Sequence, residues 1–564
     1  MASPSKPLAP RLLDGLGIAA LLALWAPAAW RFCYLIDDAF IAFRYARNWA
    51  EGLGLRYNAG SGPPVEGFSD FLWVIVLAIA HALGARLELA ANVLSAACAA
   101  ATLVALYVWL RRRGLGAQAC FGGAALCATT PAFFVWSTGG LETAAATLAL
   151  FATWALFSAA AAGARRSTSI QAGAAGAALT LLRVEGIAWV VFVALLAAVV
   201  TVPRGERRAA LARTVPGLCV TGAVFAAQLA FRAVHFGALV PNTVHAKSSL
   251  SADTLARGLD NSVSWLIISI APALVLLLAP WVLRRAESAH RRLATSAGLV
   301  VVALIAWNTL VGGDWMPFFR FLVPTTPFLG VLTGLALARL RPLAAWPLTL
   351  LVCTLSWLPA WNVNLAPKPW REALYFRSFL VGYQTEFERW ALSVDNGESY
   401  CRIGRALAIV SEPDETVVMG PIGAIGWYTR LPILGRNGLV TPEGAQRSIQ
   451  GATATESAGH DKRVPRSWFI DRRPSYFTAH LVPPGRGQRG SKPFNAAARA
   501  VARKLLEEDP AEAALFDHAL PYAYEIGPEQ GFAIPMTLFV LRWEDDSARA
   551  RAYWGSISGP RRER

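Results

Sequence analysis

The feature that most constrains this chain is a series of twelve long apolar runs within its first 361 residues. A membrane-crossing helix needs about 20 mostly apolar residues to span the hydrocarbon core. The composition agrees, because 55% of the 564 residues are hydrophobic and 16% are charged, whereas a soluble protein carries about 25% charged residues. We therefore predict an α-helical integral membrane protein. The runs lie near residues 13–33, 68–84, 90–110, 117–136, 141–163, 168–184, 187–203, 213–235, 262–283, 293–312, 320–338 and 343–361.

The arginine clusters between the runs indicate how many of them cross. Cytoplasmic loops are enriched in Lys and Arg, yet a chain with twelve crossings and a cytoplasmic N-terminus would place most Arg-rich loops outside. If the run at 68–84 lies along the outer surface instead, the clusters at 111–113, 165–166, 207–208 and 284–292 all face the cytoplasm. The sequence therefore predicts about eleven transmembrane helices and a juxtamembrane helix. The same rule accounts for the net charge of +16 without a nucleic-acid partner.

The composition changes near residue 362, where long apolar runs give way to charged residues of both signs. Segments 415–420 and 536–543 have the pattern of strands, and 492–509 has that of a helix. We predict a loop at 483–490 and a disordered tail at 558–564. The chain thus divides into a transmembrane domain, 1–361, and an extracytoplasmic soluble α/β domain, 362–564.

Polar residues at membrane depth are costly and therefore mark candidate functional positions. They concentrate in loops that the predicted topology places on the outer face, so that distant parts of the chain meet at one rim. The candidates are Asp37, Asp38, Arg44, Arg47, Glu66, Glu142, Arg183, Glu185, Asn242, His245, Lys247, Asp314, Trp315 and Arg320.

This set of residue types suits group transfer from a lipid phosphate. Arg and Lys can bind the phosphate, and Arg can do so through two parallel hydrogen bonds. A nearby carboxylate can remove the proton from an acceptor hydroxyl. Structural roles remain open: the aspartates could cap a helix, and Arg183 with Glu185 could be a structural pair.

Six motifs in this order resemble the bacterial GT-C superfamily of glycosyltransferases, and specifically its AftB-like arabinofuranosyltransferases. They are IDDAFIAFRYARNWAEGLGLRYNAG, VEGFSDFLW, STGGLETA, LLRVEG, FGALVPNTVHAK and GGDWMPFFRFLVPTTPFL. The segments GPIGAIGWYTRLPILGRNGLV and GHDKRVP resemble the extracytoplasmic domain of that family. Two departures are Val184, where the family often has Pro, and Asn437, where it usually has Asp.

The resemblance implies a polyprenyl-phosphate sugar donor, an acceptor that is a cell-envelope glycan or glycolipid, and a catalytic base in the first outer loop. Carried onto this chain, the base is Asp37 or Asp38. Donor-binding candidates are the remaining residues of the rim, and acceptor-binding candidates are Asn437, His460 and Lys462. A need for Ca²⁺, Mg²⁺ or Mn²⁺ is left open, with Asp38 as the candidate ligand.

The predicted function is therefore an inverting membrane glycosyltransferase of the bacterial inner membrane, transferring arabinofuranose or a similar sugar. The main alternative is a transporter or flippase of lipid-linked sugars, which would need polar groups near the bilayer midplane. A scaffold that binds glycan through residues 362–564 is a further alternative.

Overall fold

The computed structural model describes residues 8–60, 62–247, 251–284, 286–374, 382–442, 464–482, 484 and 489–558. Its first part is a bundle of helices, and its second part is a sheet domain flanked by helices. The bundle contains α1 (Leu8–Arg31), α2 (Asp37–Ala50), α3 (Phe71–Ala82), α4 (Leu87–Arg112), α5 (Ala117–Thr129), α6 (Pro131–Trp136), α7 (Thr143–Ala161), α8 (Arg166–Leu182), α9 (Gly186–Val199), α10 (Arg207–His235), α11 (Asn242–Lys247), α12 (Ala252–Ile268), α13 (Ile270–Leu283), α14 (Ser288–Leu310), α15 (Thr326–Leu337) and α16 (Pro342–Trp357).

The bundle belongs to a multi-pass membrane protein. Among the described residues, seven helices are long and apolar enough to cross a bilayer, or eight if the bent pair α12 and α13 forms one span. The shorter apolar helices are α3, α5 and α9. Every one of the eleven runs predicted to cross contains a helix.

Contacts at one end of the bundle agree with the predicted topology, in which the Arg-rich loops lie on the same side of the membrane. Arg111 and Asp14 form an ion pair of 2.7 Å, which joins the first run to the end of α4. Two arginines further along the chain donate to backbone oxygens at the C-terminal ends of other apolar runs. These pairs are Arg213 with Ala161, at 2.9 Å, and Arg292 with Thr201, at 3.2 Å. The Arg-rich loops therefore gather at a common end.

The helix α3 has both of its ends at the opposite end of the bundle, near the sheet domain. His81 in its last turn is 3.6 Å from Glu51, and Glu51 pairs with Arg430 of the sheet domain. Glu88, at the start of α4, accepts a hydrogen bond from Trp427. A helix of 12 residues is only about 18 Å long. These contacts agree with the prediction that this run is juxtamembrane.

Two predicted runs are not single straight helices. The run at 262–283 begins earlier, as α12, and turns by 85° at Ser269 before it continues as α13. The run at 117–136 is divided between α5 and α6, because Pro131 cannot donate the backbone hydrogen bond that would continue α5.

The sheet domain consists of five strands, β1 (Val417–Met419), β2 (Ile433–Gly435), β3 (Tyr476–Val482), β4 (Ala519–Ile526) and β5 (Met536–Trp543), in the order β2-β1-β3-β5-β4. Strand β1 is parallel to β2 and β3, and β5 is antiparallel to β3 and β4. The helices of this part are α17 (Lys368–Ala373), α18 (Glu386–Val410), α19 (Gly423–Thr429), α20 (Lys492–Glu508) and α21 (Ser547–Ser558).

The three elements predicted in this domain are present. Strand β1 lies within 415–420, β5 coincides with 536–543, and α20 occupies 492–508. Most of the predicted loop at 483–490 and nearly all of the predicted tail lie outside the described residues. The domain boundary at residue 362 stays a prediction.

Candidate active site

A cavity of about 580 Å³ lies at the end of the bundle that faces the sheet domain. Its wall combines residues from α2, the loop before α3, the loops at 141–142 and 183–185, α11, the end of α14 and the segment 313–321. Leu439 of the sheet domain closes one side. Seven of the residues predicted from sequence line it together, although they are far apart in the chain: Asp38, Glu142, Arg183, Glu185, Asp314, Trp315 and Arg320.

The first basic group of the cavity is Arg183, at the C-terminal end of α8. Its guanidinium donates to Glu142 at 2.8 Å and to Glu185 at 2.9 Å. Its side chain is 20% exposed. The group is therefore held in place by two carboxylates and still borders the cavity.

The second basic group is Arg320, which donates through Nε to Asp314 at 2.9 Å. Asp314 also accepts a hydrogen bond from the backbone N–H of Met316. Both guanidinium groups lie close to the ring of Phe321, whose centroid is 4.9 Å from that of Arg320 and 5.3 Å from that of Arg183. Aromatic faces attract cations, so Phe321 helps to keep the two guanidinium groups near each other.

The structure separates the adjacent aspartates, which sequence left as alternatives. Asp38 lines the cavity. The carboxylate of Asp37 instead accepts hydrogen bonds from the backbone N–H groups of Gly423, at 3.0 Å, and Ala424, at 2.8 Å. Burial raises the pKa of Asp37 to about 6, although the hydrogen bond from Ala424 opposes that shift.

The structure places Arg44 and Arg47, which were candidates for donor binding in the sequence, against the sheet domain. Arg44 is 1% exposed, and it donates to the carbonyl oxygens of Tyr57, Gly426 and Leu431 at 2.7–2.8 Å. Arg47 donates to the carbonyl oxygen of Trp427 at 2.8 Å and lies over its ring. Both arginines hold α2 against the sheet domain.

Glu66 and Asn242 lie beside the cavity and make contacts that shape its wall. Glu66 and Arg232 form an ion pair of 3.0 Å in which both side chains are 3% exposed. The side chain of Asn242 donates to the carbonyl oxygens of Gly438, at 2.6 Å, and Leu439, at 2.8 Å. Asn242 therefore supports the Leu439 side of the cavity.

The remaining candidates are placed as follows. His245 is an exposed residue on α11. Asn437 is half-buried in the turn that follows β2, two residues before Leu439. Lys247 ends α11, but its side chain lies outside the described residues, and so do His460 and Lys462.

The sequence interpretation missed Asp70, which lines the cavity and is 6% exposed. Burial and the nearby carboxylate of Glu142 raise the pKa of Asp70 well above its usual range. The residue belongs to the motif VEGFSDFLW, but an acid at the start of a helix has an ordinary role as a cap. The aromatic residues Phe68, Trp307 and Phe321 were missed as well, because apolar residues near a span carry no separate signal.

The cavity therefore joins two guanidinium groups with five carboxyl groups, those of Asp38, Asp70, Glu142, Glu185 and Asp314. Guanidinium groups suit a phosphate, and carboxylates can accept hydrogen bonds from sugar hydroxyls. Within the described part of the chain, no group of three or more His, Cys, Asp or Glu side chains could hold a metal ion. That Asp38 is a ligand of a divalent cation stays a prediction.

Comparisons with solved structures place the chain in a known fold. The crystal structure of ArnT from Cupriavidus metallidurans in the apo state matches this chain with a TM-score of 0.55 and 18% identity. The match covers 94% of this chain and 98% of that one. The form bound to undecaprenyl phosphate matches with a TM-score of 0.54 and 16% identity over 93% of this chain and 97% of that one. The protein therefore has the fold of GT-C glycosyltransferases.

Sequence comparisons add less. Residues 385–520 match the family described as "Domain of unknown function (DUF8728)". No curated protein sequence matches significantly.

Proposed function

We propose that this protein is an integral membrane glycosyltransferase that moves a sugar from a polyprenyl phosphate to an acceptor at the extracytoplasmic face. The observation that carries the proposal is that Asp38, Arg183 and Arg320 line the same cavity. It lies at the end of the bundle opposite the Arg-rich loops, which the positive-inside rule assigns to the cytoplasm.

The two arginines are the proposed ligands of the donor phosphate. Each is oriented by a carboxylate, at 2.8 Å in the Arg183–Glu142 pair and at 2.9 Å in the Arg320–Asp314 pair. Trp307, Leu310 and Val311, at the end of α14, give the same cavity an apolar side. A lipid phosphate has the corresponding combination of a charged head and a greasy chain. The crystal structure of ArnT bound to undecaprenyl phosphate supports this choice of donor class.

Asp38 is the proposed general base. Its carboxylate takes the proton of the acceptor hydroxyl while the hydroxyl oxygen forms a bond to the anomeric carbon. The bond between that carbon and the phosphate oxygen breaks, and the polyprenyl phosphate leaves with the electron pair. A single displacement of this kind inverts the anomeric centre. Arg183 and Arg320 stabilise the charge that develops on the leaving phosphate.

The proposed sugar is arabinofuranose or a similar pentose or hexose, and the proposed acceptor is a cell-envelope glycan or glycolipid. The motifs that resemble AftB-like enzymes support this choice. The proposed location is the bacterial inner membrane, with the N-terminus in the cytoplasm and the sheet domain outside.

The two adjacent aspartates allow a matched test of the base. We expect Asp38→Asn to lower kcat by about 10²–10⁴-fold, the usual contribution of a general base, while the dissociation constant for undecaprenyl phosphate stays within about twofold. Asp37→Asn removes the same charge one residue away, and it should keep activity within about tenfold of the wild type. An Asp38→Asn enzyme with wild-type kcat would contradict the assignment.

A further inference from the structure

We infer that Asp37 is a positioning residue through which the sheet domain sets the direction of the catalytic Asp38. The inference rests on the proposed function, because it concerns the base of the proposed reaction. It makes the segment 422–433 a structural part of the catalytic centre.

The helix α2 has two different faces, because successive residues in a helix point about 100° apart. Asp38, Ile41 and Ala42 line the cavity, and their spacing places them on one face. Asp37 and Arg44, seven residues apart, share another face and contact the sheet domain. We therefore expect a change in the contacts of Asp37 or Arg44 to rotate or shift the face that carries Asp38.

Asp37 makes its contact at the very start of α2. Its two carboxylate oxygens accept separate backbone N–H groups, Oδ2 from Gly423 and Oδ1 from Ala424. Two hydrogen bonds to a single carboxylate fix its orientation as well as its position. Asp38 is the next residue, so the same pair of bonds anchors the helical turn that carries it.

Two glycines allow the backbone of the sheet domain to approach this closely. A Cβ atom on Gly423 would overlap the carbonyl oxygen of Asp37, and one on Gly426 would overlap the hydroxyl of Tyr57. Gly426 also has the Arg44 guanidinium 2.7 Å from its would-be Cβ. In contrast, Gly420 has open space around its would-be Cβ.

Further contacts hold the rest of α2 and its following loop to the same segment. The hydroxyl of Tyr57 donates to the carbonyl oxygen of Ile422 at 2.5 Å. Asn58 both donates to and accepts from the backbone of Ile433, at 2.9 Å in each case. The segment thus fixes the first outer loop at its beginning, middle and end.

The donor site is built from other elements, since Arg183 follows α8 and Arg320 follows α14. Loss of the Asp37 contact should therefore displace the base and leave donor binding intact. A misplacement of about 1 Å can reduce a rate by about 10²-fold. A residue with a purely structural role would lower kcat and donor binding together.

The test uses the full-length protein in detergent or nanodiscs and compares Asp37→Ala, Gly426→Ala and the control Gly420→Ala. We expect Asp37→Ala and Gly426→Ala to lower kcat by about 10–100-fold, with the dissociation constant for undecaprenyl phosphate within about twofold of the wild type. Gly420→Ala should match the wild type in both. Asp37→Asn should restore part of kcat, because an amide oxygen can still accept one of the two N–H groups.

The other outcomes decide between the positioning role of Asp37 and the proposed base, Asp38. Wild-type kcat in Asp37→Ala would overturn the inference, as would a loss of undecaprenyl phosphate affinity that parallels the loss of kcat. If Gly426→Ala does not fold, the two Asp37 variants still decide. An active Asp38→Asn enzyme would reject the proposed base itself, whereas an inactive Asp38→Asn with a fully active Asp37→Ala would reject only the positioning role.

Discussion

At the scale of single residues, neighbouring side chains of the same type take different roles because a helix turns them to different faces. Asp37 binds backbone N–H groups of the sheet domain, and Asp38 lines the cavity. The sequence could predict that an acid of this pair lies in the site. It could not predict which one, because the answer depends on the packing of residues nearly 400 positions away.

Asp70 gives a prediction about stability and pH. Its raised pKa, caused by burial and Glu142, means that the folded state binds the proton more tightly than the unfolded state, whose Asp titrates near 4. The contribution of Asp70 to stability is therefore present below about pH 4, and it is lost as the pH rises through the folded-state pKa.

We expect Asp70→Asn to gain stability relative to the wild type between about pH 5 and pH 8, by about 1.4 kcal/mol for each unit of the upward shift. Thermal unfolding in detergent at the two pH values measures this difference. The exposed residue Asp395 on α18 provides the control, since Asp395→Asn should show no such trend. A difference that is constant with pH in Asp70→Asn would contradict the prediction.

Arg320 gives a prediction about donor affinity. Arg320→Lys keeps the charge beside the buried Asp314, and so avoids an uncompensated carboxylate, but it loses the planar group that can bind a phosphate through two hydrogen bonds. We expect the dissociation constant for undecaprenyl phosphate to rise about tenfold, which corresponds to about 1.4 kcal/mol.

Titration of the purified protein with undecaprenyl phosphate measures the change. Arg291 is exposed at the opposite end of the bundle, and Arg291→Lys should bind as the wild type does. Equal affinities of Arg320→Lys and the wild type would argue against a phosphate at this arginine.

At the scale of elements, the distribution of arginines along the sequence predicted that α3 does not cross the membrane. Apolarity alone would have predicted a crossing. The run at 68–84 is as apolar as its neighbours, but only a non-crossing α3 places the Arg-rich loops together, and the contacts of His81 and Glu88 agree. The 85° turn at Ser269 had no such signal. The turn instead has a local cause, because Pro272 in the first turn of α13 cannot donate the backbone hydrogen bond to Ile268 that would continue α12.

The position of α3 can be measured by cysteine labelling in a cysteine-free variant. Leu53 precedes α3, Leu83 follows it, and both are exposed. We expect an impermeant maleimide to label L53C and L83C in intact spheroplasts. Arg112, which is exposed at the other end of α4, provides the control, because R112C should react only after permeabilisation. Labelling of L53C and R112C in intact spheroplasts, with L83C reacting only after permeabilisation, would mean that α3 crosses the membrane.

At the scale of the whole molecule, α2 joins the two parts of the chain through Arg44 and Arg47, which the sequence analysis proposed as donor-binding residues. Arg44 and Arg47 had the right charge and place for a phosphate, but they bind carbonyl oxygens of residues 426–431. Sequence predicted the membrane fold, the sheet domain and the group of loops that form the cavity. It could not assign individual arginines, because a guanidinium can donate to a backbone oxygen as well as to a phosphate.

The most direct test of the central claim is sugar transfer by the purified full-length protein in nanodiscs, given a panel of polyprenyl-phosphate sugars and cell-envelope glycan acceptors. We predict a glycosylated product from one donor class, with release of polyprenyl phosphate, and at least a hundredfold less product from Asp38→Asn. The absence of product from every donor, together with movement of the intact lipid-linked sugar across the bilayer, would contradict the account.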